Sequence, residues 1–175
     1  MTAKPTMQPS IQASQPIKNE RRDATLVLGL GNILQQDDGL GVRAAELLAE
    51  RLLPPNVCVR EAGTPGIGLV SQIEGWSRVY LIDAAQMNQE PGVWRRFGTD
   101  DVKLSVQDDI LSLHEPDVAG ALALAEAVKI LPEEVIIYAV EPQQVGWGEQ
   151  LSPCIQASLP GLVDQITDEL WKRQG

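Results

Sequence analysis

The chain holds one histidine, two cysteines, one phenylalanine, two tyrosines and four tryptophans in 175 residues. The single histidine, His114, rules out a two-histidine zinc protease signature of the H-E-x-x-H kind. Cys58 and Cys154 are too few for a disulfide framework or a Cys-rich zinc site. No G-x-S-x-G sequence is present, so a nucleophile elbow is excluded. No apolar run approaches the roughly 20 residues needed to cross a bilayer. The opening residues lack the apolar stretch of a secretory signal. Basic residues number 14 against 24 acidic ones, a net charge of −10. That acidity repels phosphate backbones and argues against nucleic acid as a partner. What remains is a soluble, cytoplasmic domain with no membrane insertion. No long apolar stripe is left over from the core, so a monomer is expected.

Residues 1–23 are rich in Pro, Gln, Ser and Lys and show no apolar periodicity. Such a segment buries too little surface to offset its ordering entropy, and a disordered N-terminal tail is expected there. One domain is expected over residues 24–175. Within it, strand and helix patterns alternate. Thr25–Leu30 is a short apolar run ended by glycine, as a strand covered on both faces requires. Val42–Leu53 has helical spacing and stops at Pro54-Pro55. Val57–Arg60, Arg78–Asp83 and Val93–Phe97 read as strands, with a short helix over Gly68–Gly75. An Ala/Leu-rich helix runs from Pro116 to about Leu131, and Glu134–Val140 is a β-branched strand. Ser152-Pro153 has the N-cap and N1 chemistry of a last helix towards Trp171, kinked or divided at Pro160. This alternation predicts a three-layer α/β fold: a twisted, mainly parallel sheet flanked by helices on both faces.

In such sheets chemistry gathers beyond the carboxyl ends of the strands. The first strand runs into Gly29-Leu30-Gly31-Asn32-Ile33-Leu34-Gln35-Gln36-Asp37-Asp38-Gly39-Leu40-Gly41. This looks like a dinucleotide turn, with Glu61 as a ribose acid. Yet Leu34 stands where a third glycine should allow close helix–strand packing. Asp37 and Asp38 also occupy the helix entrance, where a pyrophosphate needs bare N–H groups. Asp37 reads best as a capping or loop-bracing carboxylate. Asp38 is flanked by Gly39 and Gly41, which remove side chains beside it, and reads as a metal ligand. Asp83, closing the third strand before Ala84-Ala85, faces the same rim. His114, just ahead of the Pro116 helix, is disfavoured as an imidazolium by the helix N-terminus and is free to coordinate. Two carboxylates and one imidazole suit a borderline divalent ion such as nickel or zinc, with coordination positions left open. A Cys154–His114 nucleophile is formally open, but nothing in the spacing brings the two together.

The blocks LVLGLGNILQQDDGLGVRAAELL, EAGTPGIGLVSQIEGWSRVYLIDAA and SLHEPDVAGALALAE, in that order and spacing, resemble the nickel–iron hydrogenase maturation endopeptidases. The resemblance covers the chain from about Leu26 to the final helix. It implies the same sandwiched sheet. It also implies removal of a C-terminal extension from a hydrogenase large-subunit precursor after nickel insertion. Position by position, the family's metal-contacting and catalytic residues correspond to Asp38, Asp83 and His114. The nickel is supplied by the substrate as a recognition signal, and other divalent ions fit the same donors. Asn32, Gly39, Thr64 and Gly66 are expected to line the substrate groove. Two other readings use the same residues differently: a non-catalytic nickel-sensing chaperone of hydrogenase assembly, and a Rossmann-like nucleotide-binding module.

Overall fold

All six residues of Thr25–Leu30 are buried, as expected of a strand covered on both faces. This strand, β1, sits inside the sheet of a computed structural model that describes residues 24–101, 112–113 and 116–173. Among these, β1 is followed by α1 (Leu40–Ala49), β2 (Val57–Gly63), α2 (Leu69–Ile73), β3 (Arg78–Gln86) and β4 (Trp94–Phe97). Then come β5 (Ser112–Leu113), α3 (Pro116–Ala127), β6 (Glu134–Val140) and α4 (Pro153–Lys172). The sheet order is β2-β1-β3-β6-β4, with β5 attached to β3. β2, β1, β3 and β6 run parallel, while β4 is antiparallel to β6. The expected tail and His114 lie outside the described residues.

Alternate residues of the strands feed two cores. On one face Leu26, Leu28, Leu81 and Ile137 meet Leu69 and Ile73 of α2 and Val118, Ala121 and Ala125 of α3. On the other, Val27, Tyr80, Ile82 and Tyr138 meet Leu40, Ala44 and Leu48 of α1 and the apolar stripe of α4. Three layers follow from strands that are apolar on both sides. No helix among the described residues is long and apolar enough to cross a membrane.

Several boundaries differ from expectation. Helix α1 starts at Leu40 and ends at Ala49, and Leu52 is 83% exposed. Pro54-Pro55 bias the residues ahead of them away from helical geometry, so the chain leaves the helix early. The expected helix over Gly68–Gly75 is α2, Leu69–Ile73, and a 3-10 turn over Gly66–Gly68 leads into it. β2 and β3 run past Arg60 and Asp83, to Gly63 and Gln86. Pro160 does not divide the last helix: α4 is one helix of 20 residues. Pro160 and Gln156, whose carbonyl loses its helical partner, are both exposed, so water can replace the missing bond. Close packing of helix on strand, judged absent for want of a glycine at position 34, is present by another route. A Cβ on Gly29 would overlap the carbonyl oxygen of Gly41, and one on Gly41 would overlap the carbonyl oxygens of Ile82 and Leu30.

A charged cluster ties α4 to the sheet. Glu169, 13% exposed, accepts hydrogen bonds from Tyr80 Oη (2.9 Å), Tyr138 Oη (2.6 Å), Arg96 Nε (2.9 Å) and Arg173 Nε (3.0 Å). Burial alone would raise its pKa, but the bonds from Arg96, Tyr138 and Tyr80 outweigh that and hold it at about 2, against an ordinary 4.5. Burial and the neighbouring Glu169 carboxylate in turn raise both tyrosines. A depressed carboxyl stabilises the fold fully above its unfolded pKa and loses that contribution as pH falls towards its folded pKa. Glu169→Gln is therefore expected to cost on the order of 3 kcal/mol at pH 7 and to flatten the fall in stability between pH 4.5 and 2. Urea denaturation at pH 7 and pH 3 checks this, and an unchanged pH 7 to pH 3 difference in the variant would refute it.

Candidate active site

The loop after β1 is shaped by its own short-range hydrogen bonds. Gly31 takes φ +111°, and a Cβ there would overlap the carbonyl oxygen of Asp38. Asn32 Oδ1 accepts the N–H of Leu34 (2.9 Å), an Asx turn. Asn32 N–H donates to Asp38 Oδ2 (2.9 Å), so the first turn of the loop fixes the acid at its end. Asp38 is 2% exposed. It lies in the 3-10 turn Asp37–Gly39, which leads into α1 and packs against β3.

Asp83 is fully buried in β3, paired in register with Ala139 of β6. It does not close its strand. Ala84, Ala85 and Gln86 extend β3, and Ala85 and Gln86 pair antiparallel with Leu113 and Ser112 of β5. Leu113, the residue before His114 in sequence, is thus held two positions beyond the partner strand's Asp83. Asp38, in the turn after β1, and Asp83, in the adjacent parallel strand β3, lie towards the same carboxyl end of the sheet. Among the described residues no three His, Cys, Asp or Glu side chains converge as a metal site, and the third expected donor, His114, is not among them.

Asp37 does something different from its neighbour. It is fully buried and caps no helix. Its Oδ2 accepts from the N–H groups of Gln143 (3.0 Å) and Gln144 (2.9 Å) and from Ser152 Oγ (2.7 Å), and Oδ1 accepts from Ser152 N–H (2.6 Å). Ser152 stands at the N-cap of α4 as expected, but its hydroxyl goes to Asp37 rather than to the helix. The backbone repeats the attachment. Gln36 N–H donates to Gly148 O (2.7 Å), Gly148 N–H to Leu34 O (3.0 Å) and Asp37 N–H to Gln144 O (3.2 Å). Held from both sides, Gln36 adopts φ 52°, ψ −122°, a conformation that L-residues avoid. Residues 141–152 therefore form a strap clamped to the β1 loop. Sequence reading assigned this segment nothing, because its partners lie more than 100 residues away and it has no periodicity.

The remaining candidates are scattered. Thr64 is exposed and Gly66 is half-buried, beyond the end of β2. Gly39 is buried, and a Cβ there would meet Ile33 Cα at 2.8 Å and Asn32 O at 3.2 Å. Glu61 is exposed within β2 rather than at its end. Cys154 lies in the first turn of α4, where its thiol donates to Gln143 Oε1 (3.0 Å).

A family model described as hydrogenase maturation protease matches residues 42–169. The hydrogenase expression/formation protein HupD of Bradyrhizobium diazoefficiens is 31% identical over 79% of this chain and 73% of its own length. HoxM of Azotobacter vinelandii, named in the same way, is 33% identical over 77% of this chain and 66% of its own. Among solved structures, the hydrogenase maturating endopeptidase HybD from E. coli superimposes with a TM-score of 0.72 at 27% identity, covering 86% of this chain and 93% of that one. The [NiFe] hydrogenase maturation protease HybD from Thermococcus kodakarensis gives 0.65 at 26% identity, covering 84% and 99%. With its sheet, its rim of buried acids and these likenesses in agreement, the chain belongs to the hydrogenase maturation protease family, a family of peptidases.

Proposed function

We propose that this protein is the endopeptidase that removes the C-terminal extension of a nickel–iron hydrogenase large-subunit precursor after nickel insertion. The observation that carries the reading is the pair Asp38 and Asp83, two buried acids in a peptidase fold, one in the turn that follows β1 and one in the adjacent parallel strand β3. Nickel arrives as part of the substrate. Two carboxylates and the imidazole of His114 give it two oxygen donors and one nitrogen, a set suited to a borderline divalent ion. Three protein donors leave positions for ligands the precursor brings. Anchoring the ion from both sides places the precursor's tail beside the acids, which converts cleavage into an effectively intramolecular step. Asp38 orients a water molecule and takes its proton as the water attacks the scissile carbonyl; the departing amine gains a proton, and the extension leaves as a peptide. The protein acts in the cytoplasm, as a monomer.

The test mixes the purified protein with nickel-loaded large-subunit precursor and follows intact mass beside a nickel-free control. Loss of a C-terminal peptide from the loaded sample alone is expected. Cleavage of both samples would remove the nickel requirement, and stable binding without any mass change would turn the protein into a chaperone.

A further inference from the structure

We infer that a cavity beyond the ends of β3 and β6 binds the main chain of the precursor's released extension through side-chain amides. This rests on the function proposed above. The cavity measures about 510 Å³, and its walls include Gln86, Asn88, Glu141, Gln143, Gln144 and Val145. Gln86 ends β3, three residues past Asp83, so the cavity opens off the same rim as the acids. It lies on the β6 side of β3, away from Thr64 and Gly66, which follow β2 at the sheet's far edge.

The chemistry of the walls selects the ligand. Among the described residues no lysine or arginine lines the cavity, so a phosphate or carboxylate finds no counter-charge there. The one charged residue, Glu141, is 8% exposed and is engaged by the N–H groups of Met87 (2.6 Å) and Gln89 (3.2 Å). The side-chain amides of Gln86, Asn88 and Gln144 are exposed and make no hydrogen bond among the described residues. A primary amide donates and accepts at once, and so does each peptide group, so an extended chain satisfies this wall whatever its side chains. On the β2 side of the acids the surface is apolar at Ile67, which is 60% exposed. A chain crossing the two acids thus leaves its folded body against the apolar flank and its extension in the amide cavity. Polar, hydrated contacts also let the cleaved peptide go. The wall is fixed to the acids, because Gln143 and Gln144 donate their backbone N–H groups to Asp37.

The test titrates a fluorescein-labelled peptide, of the sequence released in the mass experiment, onto the full chain. Against wild type, Q86A/N88A/Q144A is expected to weaken its binding at least about tenfold, since each lost amide contact contributes modestly and three are removed. An all-alanine peptide of equal length is expected to bind wild type within about threefold of the native sequence, because the main chain is what is held. All three positions are exposed, so the variant's melting temperature serves as the folding control. Unchanged affinity in a folded triple variant, or loss of the alanine peptide, overturns the amide cavity. Precursor cleavage by wild type is scored separately. If cleavage proceeds while the triple variant binds peptide normally, only this inference falls; if wild type cuts no precursor, the proposed function falls and takes this site with it.

Discussion

Asp38→Asn is expected to lower precursor cleavage by at least about a hundredfold while leaving the fold intact, the range expected when a positioned general base is removed. The substitution is nearly isosteric. An asparagine amide oxygen can accept the Asn32 N–H that now reaches Asp38 Oδ2 at 2.9 Å, so the loop keeps its turn. What disappears is the capacity to take a proton and to offer an anionic oxygen. The two roles separate in a binding measurement. If nickel-loaded precursor still binds with near wild-type affinity and is not cut, Asp38 acts on the water. If binding and cleavage fall together, Asp38 is a docking ligand only, and the base must be sought elsewhere on the rim. Cleavage within a few fold of wild type would remove Asp38 from the site altogether.

Asp37→Ala, one residue away, is expected to fail for an unrelated reason. Asp37 is 0% exposed and satisfies four donors: three backbone N–H groups and the hydroxyl of Ser152. Alanine leaves those donors facing a hole. With each stranded donor costing about 1–3 kcal/mol and some rehydrating at the exposed Gln143 and Gln144, a net loss of about 3–5 kcal/mol is expected. Asparagine is no remedy, since its NH₂ group would point a donor at donors. Urea titration of Asp37→Ala should give a sharply lower midpoint, and limited proteolysis should cut within residues 141–152 first. An unfolding free energy within about 1 kcal/mol of wild type would mean the strap is held by its backbone bridges alone. The contrast between the two acids is the useful result: Asp37→Ala loses structure, whereas Asp38→Asn loses chemistry.

Sequence reading separated those two acids for a local reason and missed the partners for a distant one. Asp37 as a bracing carboxylate and Asp38 as the proposed ligand-facing one were both read from one helix entrance and the glycines beside it. That Asp37 reaches Ser152 depends on a segment whose only regularity is the hydrogen bonds it makes to another loop. β1 and β6 were legible to the residue because they are apolar on both faces and bounded by turn residues. β3 was read three residues short: Ala84 is held extended by Val140 of β6, and Ala85 and Gln86 by Leu113 and Ser112, partners that no local pattern reveals. The tight helix–strand contact escaped notice because it was sought at position 34. The chain achieves it with Gly29 against Gly41, the second of which lies outside the dinucleotide-like pattern.

The reach of Asp37 also sets an order on synthesis. Its donors lie 106, 107 and 115 residues downstream, so the brace closes only after residue 152 has emerged and can fold back. Contacts this distant in sequence form late, since the loop between them must close first. A nascent chain that has reached Val140 already carries Asp38, Asp83 and the Asn32 N–H that bonds Asp38, yet lacks the donors that hold Asp37 beside it. The strap that braces Asp37 is thus made only after both proposed site acids, and the loop after β1 waits for it through most of translation.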